Sequence, residues 1–156
     1  MTLEQIHAAI PHRGPMLLID EILDQNEDSI VCSKTFHADE FFLDGHYPGH
    51  PIVPGVILCE VGFQAGAVLL AAVIQASEHG DTQTKVPVAT RLNNVKFKHM
   101  VRPGDTIKAE VTLTEQIRNA FFLQAKISCN DKLTTRFDFA CAVAEPPASS
   151  STENNA

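Results

Sequence analysis

Gly45-His46-Tyr47-Pro48-Gly49-His50-Pro51-Ile52-Val53-Pro54-Gly55 runs directly into Val56-Ile57-Leu58-Cys59-Glu60-Val61-Gly62-Phe63-Gln64 and on through apolar residues to about Ala76. The first part holds three prolines and three glycines among eleven residues. Fixed φ angles and missing Cβ atoms at that density exclude both helix and strand, so a loop held in one conformation is expected. The second part places alanine, glycine and leucine on every side of a helical wheel, interrupted by Glu60 and Gln64. A helix that is apolar all round is a buried one. Pro54 suits its first turn, and Glu60 and Gln64, four apart, share one face.

The rest of the chain supplies what such a helix would be buried against. Thr106 to Ile117 alternates strictly, with Ile107, Ala109, Val111 and Leu113 on one face and Lys108, Glu110, Thr112 and Thr114 on the other. Phe121 to Cys129 and Leu133 to Val143 repeat that period of two. Asn119 and Asn130-Asp131 supply the turns of an antiparallel meander. Ahead of the loop, Thr2-Leu3-Glu4-Gln5 has capping-box spacing for a short helix, Leu3 to Ala9, ended by Pro11. Met16 to Leu23 reads as a buried strand, Asp24 to Asp28 as a turn and Ser29 to Phe36 as a second strand. A polar break covers Ser77 to Lys85, and from Pro146 the chain is low-complexity. The expectation is an α+β fold in which five to seven strands form one antiparallel sheet around a central helix. One domain over 1–145 and a disordered tail over 146–156 complete it.

Composition narrows the function. A chain of 156 residues suits one domain with a real core. No basic n-region or long apolar h-region opens it, and the uninterrupted apolar stretch Ala65 to Ile74 is about half of a bilayer span. A soluble cytoplasmic protein that neither spans nor binds a membrane is expected. The net charge of −7 argues against nucleic acid as a partner. The four cysteines lack zinc-like spacing and read as reduced, buried hydrophobes, with no structural metal.

Glu60 is the anomaly, because a carboxylate within an apolar helix should be desolvated and its pKa raised, as a proton donor near neutral pH requires. His46 and His50 would share a helix face as metal ligands, but the prolines forbid that helix, which leaves a positioned base or a structural histidine. Gly55, at a helix N-terminus, could offer its N–H to a carbonyl or oxyanion, with no side chain in the way. A base, an oxyanion donor and an acid within fifteen residues suit proton abstraction α to a thioester carbonyl with loss of a β-hydroxyl. A solvated Glu60 and a Gly55 that merely eases the turn are the plain alternatives, and the residues alone leave them open.

Three segments in order resemble the β-hydroxyacyl-acyl-carrier-protein dehydratases of the FabZ type. They are His12-Arg13-Gly-Pro-Met-Leu-Leu-Ile-Asp20, then Gly45 to Val56 with Glu60 and Gln64, then Lys96-Phe-Lys-His-Met-Val-Arg-Pro-Gly-Asp105. The resemblance runs to about Ala144 and implies the hotdog fold. It implies a catalytic pair of His46 and Glu60 drawn from two subunits of a homodimer, usually within a trimer of dimers. Gly55 would bind the thioester carbonyl, Ile52 would orient His46, Gln64 would support Glu60, and His50 would be structural. It implies no metal and no organic cofactor, and an acyl carrier protein as partner. Lys96, Lys98, His99 and Arg102 read as one β segment, and its face of Lys96, Lys98 and Arg102, with Arg91 beside it, would then dock that acidic carrier. The rival expectations are a hotdog thioesterase and a non-catalytic acyl-thioester-binding subunit.

Overall fold

The computed structural model describes residues 3–77 and 85–144. Its centre is helix α2, Gly55–Ser77, preceded by α1 (Leu3–Ala9), β1 (Glu21–Gln25) and β2 (Ser29–Thr35). After it come β3 (Val86–Phe97), β4 (Thr106–Ile117), β5 (Ala120–Cys129) and β6 (Lys132–Ala144). All strand pairs are antiparallel, in the order β1-β2-β4-β5-β6-β3. The sheet curls around α2, which packs on β2, β3, β4, β5 and β6. This is the expected α+β arrangement, a hotdog fold.

The alternation in the sequence explains the core. Ile107, Ala109 and Val111 of β4 are fully buried, as are Ala125 and Ile127 of β5, while Lys108, Glu110 and Lys126 face outward. Asn130 and Asp131 close β5 to β6 with φ of 49° and 59°, the double left-handed turn whose twist suits a two-residue hairpin. Helix α2 buries Leu58, Val61, Ala65, Leu69 and Leu70. By length and composition α2 is apolar enough to cross a membrane, yet 67% of that window is buried inside the fold, as in the core helix of a soluble protein.

Glycines let the sheet approach this helix closely. A Cβ at Gly62 would lie 2.5 Å from the Phe137 ring, and one at Gly66 would lie 2.7 Å from the Phe139 ring. Those two rings and Phe63 form an aromatic cluster with centroids 5.2–5.7 Å apart.

One expected strand is misplaced. Of Met16 to Leu23, only the residues from Glu21 onward join the sheet. Leu18 is buried, but its N–H is donated to Gln64 Oε1 at 2.8 Å rather than to a neighbouring strand. The apolar run there packs against the helix as an extended strap. The Thr2 cap, most of the polar break and the tail from Pro146 lie outside the described residues.

Candidate active site

The proline- and glycine-rich loop is fixed by its own backbone. Gly45, Tyr47 and Gly49 all take left-handed conformations, with φ of 76°, 53° and 84°. His46 N–H donates to Leu43 O, His50 N–H donates to Tyr47 O, and Val53 N–H donates to Val101 O. The half-buried His46 ring has Nδ1 2.9 Å from Ile52 O. A carbonyl only accepts, so Nδ1 carries hydrogen and the neutral ring keeps its lone pair on Nε2. The Tyr47 ring stands edge-on to it at 4.9 Å. His50 is exposed and takes no part in this arrangement.

Gly55 opens α2 with an amide that bonds no acceptor among the described residues, as helix N-termini leave their first donors. The absence of its side chain has a reason beyond ligand approach. A Cβ there would lie 2.6 Å from the Phe97 ring.

One and a half turns on, Glu60 lies at the edge of the core with its side chain 26% exposed. Its Oε1 accepts from Gln64 Nε2 at 2.9 Å and lies 3.5 Å from His12 Nε2. Gln64 is itself held by the strap, donating to Met16 O at 2.7 Å and accepting from Leu18 N–H. Burial is the largest influence on the Glu60 carboxyl and pushes its pKa up. The hydrogen bonds from His12 and Gln64 and the charge of His12 together outweigh it and hold the pKa below the ordinary value. This corrects the expectation of a raised pKa: burial is present, but it does not decide.

Glu60, Gln64 and His12 line a cavity of about 680 Å³ with Ile10, Phe63 and Ala67. Gly55 borders a separate groove with Phe97 and Lys98, and Arg102 lines a third hollow beside Tyr47 and His50. Glu60 and Gly55 thus line different hollows, and His46 lines none of these three.

The basic residues are also dispersed. Strand β3 ends at Phe97, so Lys96 is on the strand while Lys98, His99 and Arg102 follow it. Asp105 accepts from Arg102 N–H in the turn that ends that segment. All four are exposed, but they do not form one strand face.

His12 went without a role in the reading of the sequence. The dipeptide His12-Arg13 after Pro11 was its visible trace. Arg13 explains the local shape: its guanidinium donates to the carbonyls of His7, Ile10 and His12, which ties the chain leaving α1 into a hook.

Fold and site together define a hotdog domain with a carboxylate on the central helix and a carbonyl-anchored histidine on the loop before it. A FabA-like domain matches residues 10–138. The 3-hydroxyacyl-[acyl-carrier-protein] dehydratase FabZ of Caulobacter vibrioides is 37% identical over 90% of this chain and 87% of its own length. The FabZ of Chloroflexus aggregans is 35% identical over 94% and 98%. The chain belongs to the FabA-like family and is related within it to FabZ dehydratases. Among solved structures, the dehydratase heterocomplex ApeI:P from Xenorhabdus doucetiae superposes with a TM-score of 0.74 over 90% of this chain and 91% of that one, at 18% identity. The PaaI protein of E. coli gives 0.60 over 78% and 81%, at 20% identity. At such low identity these structures bear on the fold alone.

Proposed function

We propose that this protein dehydrates (3R)-3-hydroxyacyl-[acyl-carrier-protein] to the trans-2-enoyl thioester in fatty acid biosynthesis. The observation that carries the reading is 37% identity to a FabZ dehydratase over 90% of the chain. His46 Nε2 takes the α-proton, and the C–H electron pair forms the new double bond. The Gly55 N–H polarises the thioester carbonyl as charge develops on it. Glu60 gives its proton to the departing hydroxyl, which leaves as water with the C–O electron pair. Ile52 and Gln64 orient the two reacting side chains.

In the proposed homodimer each site draws His46 and Glu60 from different copies, a reading supported by the relation to FabZ dehydratases. The long edge strand β3, with Val88, Leu92 and Phe97 exposed, offers a surface on which two copies can pair. Assembly as a trimer of dimers, a single hotdog domain, and a cytoplasmic location complete the proposal.

The test is hydration of a short trans-2-enoyl thioester by the wild type, H46A and E60Q, with free thiol assayed in parallel. The wild type should consume enoyl absorbance without thiol release. Each variant should be about 10²–10⁴-fold slower, the usual contribution of a positioned acid or base. Thiol release would make the protein a thioesterase, and a folded wild type inert on both short and carrier-linked substrates would make it a binder.

A further inference from the structure

Glu60 is asked to give up a proton, yet its surroundings favour the charged form, and two side chains produce that bias through one oxygen. Gln64 Nε2 and His12 Nε2 both approach Oε1, at 2.9 Å and 3.5 Å. Oε2 makes no hydrogen bond among the described residues. Gln64 is locked by two bonds to the strap and carries no charge. His12 differs. Its Nδ1 is buried with no hydrogen-bond partner among the described residues, whereas Nδ1 of His46 is pinned by a carbonyl. The carboxylate of Glu60 is thus the polar side chain that the His12 ring faces.

We propose that His12 is a positioning residue for Glu60: by engaging Oε1 opposite Gln64 it presents Oε2 to the leaving hydroxyl and governs when that carboxyl holds its proton. The inference rests on the dehydratase reading above. In the step itself the Oε2–H bond breaks, an O–H bond forms on the departing hydroxyl, and the carbon–oxygen electron pair leaves with the water. The carboxylate left behind keeps its two donors on Oε1. Closing the His12 contact from 3.5 Å to an ordinary hydrogen bond takes less than about 1 Å of side-chain movement.

Other titratable groups border the same cavity: His7 on α1, Lys85 ahead of β3 and Cys141 on β6. The Cys141 thiol is pushed up to about 11 by burial and stays neutral. Of the groups in this cavity, His12 is the one with a resolved influence on Glu60.

The experiment compares kcat/KM between pH 3 and 9 for the full-length wild type, H12F and H12N on a short 3-hydroxyacyl thioester. Removing the imidazole leaves burial less opposed, so the Glu60 carboxyl holds its proton to higher pH. In H12F the limb on which activity falls with rising pH should therefore have its midpoint at higher pH. H12N, which restores a donor without a titrating ring, should move that limb part of the way back. Coincident midpoints for that limb in wild type and H12F, whatever the heights of the profiles, would overturn the proposal and reduce His12 to packing.

A second measurement covers an H12F chain that does not fold. NMR titration of the Glu60 carboxyl in wild type and H12N should give a higher midpoint in H12N, and coincident midpoints would overturn the coupling. An inactive wild type would remove the dehydratase reading, and the carboxyl titration would still decide whether His12 and Glu60 act as a pair.

Discussion

Gln64 shows how much one side chain can connect. It joins the strap to the central helix through Met16 O and Leu18 N–H, and it joins both to Glu60. Gln64→Leu would fill the same space and leave the fully buried Leu18 N–H without an acceptor, a loss of about 1–3 kcal/mol readable as a lower urea midpoint. Activity should fall further than stability accounts for, since Glu60 loses one of its donors. Glu60 also makes a pH prediction. Its carboxyl is held below the ordinary value in the fold, so its contribution to stability is complete above the unfolded pKa and is lost as pH falls through the folded one. The stability difference between wild type and E60Q should therefore move against the wild type between pH 6 and pH 3. A difference independent of pH would show that the carboxylate is not stabilised in the fold.

Elements were legible where one physical rule governed them. The boundaries of β4 follow from strict alternation, and those of α2 from an apolar wheel entered at Pro54-Gly55. Met16 to Leu23 obeyed no single rule, because an apolar run can be satisfied by a helix's side chain as well as by a strand. The partnership of His12 with Glu60 was out of reach for a related reason. The two are 48 residues apart, and the hook made by Arg13 that brings them together leaves no periodic trace. Gly55 was half legible: its place at a helix N-terminus could be read, while its contact with Phe97 depends on where β3 ends. At this scale G62A is the sharp test. A methyl group 2.5 Å from the Phe137 ring should cost about 1–3 kcal/mol through overpacking, set against roughly 1 kcal/mol gained in helix propensity. The double variant G62A/F137L should recover most of the loss, and no recovery would place the strain elsewhere.

For the whole molecule, the question is how an acidic protein would receive an acidic carrier. With a net charge of −7, general attraction is absent and a local patch must act. Lys96 near the end of β3 and Lys98 and Arg102 beyond it are exposed, and Lys98 and Arg102 line the grooves that Gly55 and Tyr47 border. K96E/K98E should raise KM for the carrier-linked substrate severalfold, more at low salt than at high, and leave KM for a short thioester unchanged. Equal effects on both substrates would remove the patch from the docking surface.

The paired notches and rings of α2 and the sheet work like a key in a lock cylinder. Phe97, Phe137 and Phe139 each occupy the space of a missing side chain, at Gly55, Gly62 and Gly66. The helix can then neither slide by a turn nor roll without driving a ring into its backbone. Natural variation at these six positions should accordingly be correlated: a relative with alanine at one notch should carry a smaller residue at the matching ring. Drift across this seam would proceed in pairs of compensating changes rather than singly.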